Sequence, residues 1–173
     1  MRCGALLLAL LLAGCASAPP PQAGSVSGRL SLQVDADQDR PAQSLNANFD
    51  LQGDAERGEL RLVTPLGTTL ALASWAPGEA RLATPQGERR FDDLDGLSRQ
   101  VFGEQLPLRA LPDWLRGRPW NGAAESAQPL QPGPGFVQLG WTVELTRFDH
   151  GLLQAWRTDP PAVRLRAQID SPP

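Results

Sequence analysis

Apolar and polar residues alternate with a period of two in segment after segment of this chain, and this pattern restricts its fold more than any other feature. The first such segment places Leu30, Leu32 and Val34 on one face and Ser31 and Gln33 on the other. Successive side chains of a β-strand point to opposite faces of a sheet, so the pattern predicts a strand with one buried face and one solvated face. Such alternation is typical of antiparallel sheets. Further strands are predicted at residues 45–52, 59–63, 68–75, 80–84, 88–91, 137–145, 152–156 and 162–170.

One region between the strands has the spacing of helices. Leu94 and Leu97 begin a helical face that Asp92 or Asp93 is placed to cap and that Gly103 is placed to end. A second short apolar face follows at Leu108, Leu111, Trp114 and Leu115. Residues 119–135, rich in Pro and Gly, are predicted to form a loop. The chain is therefore expected to have an α+β fold, in which short helices cover the apolar face of a curved antiparallel sheet. Periodicity leaves open whether they fill that face or act as a lid over an apolar cavity.

The chain begins with a leader that ends in a cysteine. Arg2 precedes the apolar run 5–12, which is shorter than the roughly 20 residues that cross a membrane. The ending Leu12-Ala13-Gly14-Cys15 resembles the lipobox of bacterial lipoproteins. This resemblance implies a signal peptide at 1–14, a lipidated Cys15 with a tether over 15–24, and a folded domain over 25–173. The alternative is an ordinary cleaved signal in which Cys15 occurs by chance.

Composition excludes several kinds of site. The 173-residue chain has a net charge of −3, which does not favour nucleic-acid binding. It contains no Lys and no Tyr, and one His with two Cys is too few for a Cys/His zinc site. His150 is predicted to lie in a turn, and Ser98 lacks the Gly-x-Ser-x-Gly setting of a hydrolase nucleophile. We therefore expect no enzymatic activity, no metal and no cofactor.

Three segments carry a family resemblance. Residues 62–70 read Leu-Val-Thr-Pro-Leu-Gly-Thr-Thr-Leu, and residues 138–143 read Gln-Leu-Gly-Trp-Thr-Val. Between them, residues 106–119 read Leu-Pro-Leu-Arg-Ala-Leu-Pro-Asp-Trp-Leu-Arg-Gly-Arg-Pro. In this order, behind Cys15, they resemble the LolB family of outer-membrane lipoprotein receptors.

The resemblance implies a fold and a function. The family fold is a half-closed antiparallel barrel with a helical lid over an apolar cavity. Its members accept lipoproteins from a periplasmic carrier, bind their acyl chains without covalent chemistry, and insert them into the outer membrane. The expected partners are thus a LolA-like carrier, the acyl chains of cargo lipoproteins, and the outer membrane, held through the lipid on Cys15. We expect a monomer on the periplasmic face of the outer membrane.

The resemblance also implies site residues. Pro65, Leu66 and Gly67 match a protruding turn whose apolar residue delivers cargo into the bilayer. The alternative is that Leu66 folds back against the sheet. The candidates for the cavity wall, which could equally be plain core, are Leu30, Leu32, Phe49, Leu60, Leu62, Leu111, Trp114, Leu115, Trp141 and Val143.

The basic residues of the helical region and the state of the core each allow two interpretations. Arg109, Arg116 and Arg118 give the helical region a basic character that suits either an acidic carrier or a solvated face. The core either contains an acyl-binding cavity or is filled. A filled core fits a structural envelope lipoprotein that binds a protein or peptidoglycan partner. Binding of an acyl chain distinguishes a receptor from such a structural protein.

Overall fold

The computed structural model describes residues 24–38 and 40–172. The predicted signal peptide, Cys15 and most of the predicted tether lie outside the described residues. The elements are β1 Val26–Val34, β2 Gln43–Gly53, β3 Gly58–Val63, β4 Thr69–Ala76, β5 Glu79–Thr84, β6 Gly87–Phe91, α1 Leu94–Phe102, α2 Leu111–Trp114, β7 Gln128–Pro129, β8 Gly135–Gln138, β9 Trp141–Arg147, a 3₁₀ turn Phe148–His150, β10 Leu152–Arg157 and β11 Val163–Ile169.

All the strands form one antiparallel sheet. Its order is β6-β5-β4-β3-β2-β1-β11-β10-β9-β8-β7, so the two edges are β6 and β7. Pairing of β1 with β11 joins the first and last strands in the middle of the sheet, with Gly28 opposite Ile169 and Val34 opposite Val163. Since β6 and β7 pair on one side only within the described chain, the sheet is open rather than a closed barrel.

The helices lie between the two edge strands in the sequence. We call residues 92–127, which run from the end of β6 to the start of β7, the helical segment. Leu97 and Trp114 of this segment belong to the same buried cluster as Phe49, Val143 and Ala167 of the sheet. The helical segment therefore crosses from one sheet edge to the other over the apolar face, which we call the inner face. No helix in the described ranges is long and apolar enough to span a membrane.

Several boundaries agree with the sequence. Asp93 caps α1 by accepting a hydrogen bond from the Gly96 N–H at 2.7 Å, and Gly103 ends the helix with a φ of 72°. Asp92 is not the cap. His150 is an exposed residue of the 3₁₀ turn before β10, as predicted.

One strand prediction is wrong. The alternation of apolar residues from 137 to 145 predicts one strand, but the structure has a hairpin, in which Gln138 pairs with Trp141 across Leu139 and Gly140. These two residues have φ values of 55° and 75°, the left-handed conformation of a two-residue hairpin loop. Because of this turn, the buried residues of β8 are Phe136 and Gln138, and Val137 faces outward. The predicted 119–135 loop also contains β7, a strand of only two residues.

A buried serine fixes the end of α1 to the next part of the helical segment. Ser98 is fully buried, and its hydroxyl donates to the Glu104 carbonyl at 2.7 Å and accepts from the Leu106 N–H at 2.6 Å. Both backbone groups lie where the chain turns away from the helix. The hydroxyl thus supplies hydrogen bonds that no regular element provides there, a structural role rather than that of a nucleophile.

We expect Ser98→Ala to lower the free energy of unfolding by about 2 kcal/mol, because it leaves a buried N–H and a buried carbonyl without a partner. Urea denaturation measures the change. Ser44→Ala, on the exposed face of β2, is the control and is expected to stay within roughly 0.5 kcal/mol of the parent. Equal values for the two variants would contradict the role of Ser98.

Candidate functional site

An apolar cavity lies between the helical segment and the inner face of the sheet. Its volume is about 70 Å³. Every lining residue is apolar: Leu30, Leu32, Leu45, Leu60, Leu62, Phe102, Leu106, Pro107, Leu108, Leu111, Trp114, Trp141 and Leu165. Aliphatic residues of β1, β2, β3 and β11 form the sheet side, and residues 102–114 form the other side. Such a space takes only an apolar occupant, since it offers no partner for a polar group.

The structure brings together most of the predicted wall. The predicted residues that line the cavity are Leu30, Leu32, Leu60, Leu62, Leu111, Trp114 and Trp141. Phe49, Leu115 and Val143 are buried in the surrounding core and are not among its lining residues. Six further residues line the cavity that were not predicted from the sequence: Leu45, Phe102, Leu106, Pro107, Leu108 and Leu165. Alternation places a side chain on the inner face, yet it does not distinguish contact with the cavity from contact with another side chain.

Trp114 of α2 is the centre of the packing beside the cavity. It is 0% exposed, and its ring centroid lies 6.2 Å from that of Phe136 and 6.1 Å from that of Trp141. Its indole Nε1–H donates to the Gln138 Oε1 at 2.9 Å. This bond satisfies the only polar atom of a buried indole ring and ties α2 to the β8–β9 hairpin.

Gln138 is a residue whose role the sequence did not reveal. It is 4% exposed, and its Oε1 also accepts from the Trp120 N–H at 3.0 Å, while its Nε2 donates to the Trp120 carbonyl at 2.8 Å. One side chain therefore holds both α2 and the chain that follows it. The alternation of apolar residues predicts that a polar residue of this strand faces outward, and only the turn at Leu139 places Gln138 inside.

Three arginines of the helical segment, at positions 109, 116 and 118, have different surroundings. Arg116 donates to the Pro112 carbonyl at 2.7 Å and to the Gly53 carbonyl at 3.0 Å, which joins α2 to the β2–β3 turn. Arg118 forms an ion pair with Asp113 at 2.8 Å. The guanidinium group of Arg109 forms neither an ion pair nor a hydrogen bond with any residue that the structure describes. Arg116 thus joins two parts of the fold, a role different from both contact with a carrier and simple solvation.

The β2–β3 turn that Arg116 contacts is itself closed by a carboxylate. Asp54 accepts hydrogen bonds from the Arg57 N–H at 3.0 Å and the Glu56 N–H at 2.8 Å, and these bonds hold the pKa of Asp54 below its ordinary value. Across the residues described, no cluster of three His, Cys, Asp or Glu side chains has the arrangement of a metal site.

Leu66 lies at the tip of the β3–β4 turn and is 95% exposed. The turn is closed below it by the Gly67 N–H, which donates to the Thr64 carbonyl at 2.9 Å, and by the Thr68 N–H, which donates to the Thr64 Oγ1 at 3.1 Å. Gly67 adopts a φ of 85°, a conformation that favours glycine. The structure thus places Leu66 in solvent, away from the sheet.

A second turn provides a comparison. Residues 64–67 read Thr-Pro-Leu-Gly, and residues 84–87, in the β5–β6 hairpin, read Thr-Pro-Gln-Gly. Successive hairpins of an antiparallel sheet turn at alternating ends, so these two turns lie at the same end. Gln86, like Leu66, is exposed. The same Thr-Pro-X-Gly sequence therefore carries an exposed leucine in the β3–β4 turn and an exposed polar residue in the β5–β6 turn.

The comparison with known proteins bears on this arrangement. A model described as "Outer membrane lipoprotein LolB" matches residues 22–169. The chain belongs to the LolB family. The match includes the whole sheet, the helical segment and the Leu66 turn.

Individual relatives agree with the family match. The chain is similar to outer-membrane lipoprotein LolB of Bordetella petrii, with 34% identity over 88% of this chain and 83% of the relative. It is 37% identical to the LolB of Bordetella pertussis over 83% of this chain and 76% of the relative. For the LolB of Chromobacterium violaceum the identity is 35%, over 82% and 80%. The LolB family is one of outer-membrane lipoproteins.

We expect Gln138→Leu to lower the free energy of unfolding by about 3 kcal/mol, because the substitution leaves the buried Trp114 N–H and the Trp120 backbone groups without partners. Urea denaturation followed by tryptophan fluorescence measures this. Gln33→Leu, on the solvated face of β1, is the matched control and should change stability by less than roughly 0.5 kcal/mol. A Gln138→Leu protein as stable as the control would show that the hydrogen bonds are dispensable.

Proposed function

We propose that this chain receives lipoproteins from a periplasmic LolA-like carrier, binds their acyl chains beneath the helical segment, and inserts them into the outer membrane. Membership of the LolB family supports the proposal. The observation that carries it is the cavity between the helical segment and the sheet, whose lining residues are all apolar. Exposing a long acyl chain to water costs about 25 cal/mol per Å², so direct transfer from a carrier into such a space avoids a large barrier.

Acyl binding requires the cavity to enlarge. Its volume of about 70 Å³ is well below the roughly 150 Å³ of a protein cavity that holds benzene. The sheet is held by continuous backbone hydrogen bonds, whereas residues 103–110 of the helical segment contain only short-range turns. We therefore assign the movement to the helical segment, which acts as a lid. A core that never opens would instead fit a structural envelope lipoprotein.

The Leu66 turn is assigned to delivery. Pro65 restricts the backbone of the turn and Gly67 permits its positive φ, and burying one leucine side chain in a bilayer is worth roughly 2 kcal/mol. That energy is enough to bring the receptor transiently onto the membrane surface without fixing it there. The stable anchor is the lipid on Cys15, whose several acyl chains hold the protein at the outer membrane. Residues 15–24 serve as the tether, and the domain works as a monomer.

We expect Leu66→Glu to reduce transfer of a lipoprotein to liposomes by at least about tenfold, because it replaces favourable burial of leucine with the cost of placing a carboxylate in the bilayer. Binding of acyl chains should be unchanged, since neither Leu66 nor its neighbours Pro65 and Gly67 line the cavity. The assay measures liposome-associated cargo after release from the receptor.

Gln86→Glu is the control for this prediction. It places the same charge at the matching position of the other Thr-Pro-X-Gly turn, at the same end of the sheet. Normal transfer by Leu66→Glu, or an equal loss in Gln86→Glu, would refute the assignment of the Leu66 turn.

We expect Leu62→Trp to weaken binding of a fluorescent fatty-acyl probe by about tenfold, because the larger ring occupies the cavity and an occupant must then overpack it. Fluorescence titration measures the affinity. Leu72→Trp is the control, since Leu72 pairs with Arg61 on the outer face of β4. Failure of the parent protein to bind the probe would favour the structural lipoprotein instead.

A further inference from the structure

A second space, different in chemistry, adjoins the apolar cavity. Its volume is about 400 Å³, and we call it the polar mouth, after the residues that line it alone: Asp95, Gln105, Arg109, Ala110, Trp120, Leu139 and Arg157. Leu106, Pro107 and Trp141 line both spaces. The apolar cavity and the space with charged walls therefore share these three residues as a common wall. Exposed Gln105 and Leu139, the latter 46% exposed, bring the polar mouth to the surface.

Arg109 supplies unused hydrogen-bond donors to the polar mouth. Its side chain lines the space and is half-buried. Arg116 and Arg118 of the same segment, by contrast, are engaged in hydrogen bonds and an ion pair. Asp95 lines the same space, yet the two side chains form no ion pair. A half-buried guanidinium group carries five N–H donors, and leaving them unpaired is costly unless a ligand or solvent takes them.

Arg157 is a second source of donors and is held rigidly. Its side chain is 18% exposed, and Nη2 donates to the Glu104 Oε2 at 3.0 Å and to the Pro161 carbonyl at 3.2 Å. Its guanidinium group lies 6.0 Å from the centroid of the Trp141 ring, the wall that the two spaces share. Its Nε is buried without a hydrogen-bond partner in the described part of the chain. Glu104, which also pairs with Arg40, is its ion-pair partner, so Arg157 brings a fixed, charged group of hydrogen-bond donors to the polar mouth.

We infer that the polar mouth binds the ester-bearing part of the cargo's lipid, an S-diacylglyceryl cysteine, with Arg109 donating hydrogen bonds to the ester carbonyls. This inference rests on the proposed binding of acyl chains in the cavity. The ester carbonyls begin the acyl chains, so they come to lie just outside the shared wall when the chains occupy the cavity. Esters only accept hydrogen bonds and arginine only donates them, so the two groups are complementary.

The remaining walls of the polar mouth suit the cysteine and the peptide that follow. Peptide N–H groups need acceptors, which the Asp95 carboxylate and the Gln105 side-chain oxygen provide. Trp120 and Leu139 give apolar contact to the glyceryl group. The polar mouth thus selects a lipid that has a polar junction between chain and protein, whereas the cavity alone accepts any acyl chain.

The test uses two ligands and the full-length protein in detergent-free buffer. One ligand is a tripalmitoylated S-glyceryl cysteine carrying a short neutral, fluorescent peptide. The other is its dialkyl ether analogue, which keeps the chains but lacks the ester carbonyls. We expect the parent to bind the ester about tenfold more tightly than the ether, the size of one hydrogen bond to a charged donor. Arg109→Met should abolish this preference by weakening the ester alone.

Arg99→Met is the matched control, since Arg99 is an exposed arginine of α1 outside the polar mouth, and it should keep the preference. An unchanged melting temperature establishes that Arg109→Met is folded. If the parent binds both ligands equally, or if Arg109→Met weakens both alike, the inferred binding of ester groups in the polar mouth is refuted. The proposed binding of acyl chains in the cavity is then retained. If the parent binds neither ligand, the proposed acyl-binding function fails as well.

Discussion

An open sheet with one apolar face must have that face covered, and the rest of this structure depends on how the cover is made. β6 and β7 end at opposite edges of the sheet, and the chain between them has to cross it. Because α1 and α2 place Leu97 and Trp114 toward the sheet, the crossing runs over the inner face and buries it. The helical segment that covers the inner face is therefore the connection between β6 and β7 and not a separate domain.

The helical segment is attached to the sheet by polar contacts at a few points and by apolar contacts between those points. Ser98 holds the end of α1, Arg116 joins α2 to the β2–β3 turn, and Gln138 holds Trp114 from the other side. Between these points the contacts across the cavity are apolar and non-directional. The helical segment is therefore fixed by directional contacts at these points and held by apolar packing between them.

The exposed side chains differ between two turns of similar sequence. Two turns at one end of the sheet share the sequence Thr-Pro-X-Gly, but only one exposes a leucine. The residue at the variable position decides whether the turn presents an apolar or a polar side chain. Leu66 is exposed because Thr64 and Gly67 close the turn below it, so its side chain has nothing to pack against.

Local periodicity, capping and turn residues were enough to predict the strands β1 to β6, the bounds of α1 and a turn with Leu66 at its tip. They left open whether Leu66 is exposed or folds back against the sheet. The sequence also placed the chain in its family through three short segments. The packing of residues distant in sequence fixes which inner-face residues reach the cavity: Leu62 does and Phe49 does not. It likewise decided that Gln138 is buried and that Arg109 and Arg157 face one space. These facts depend on the Leu139–Gly140 turn and on contacts between residues far apart in the chain, which no local pattern encodes.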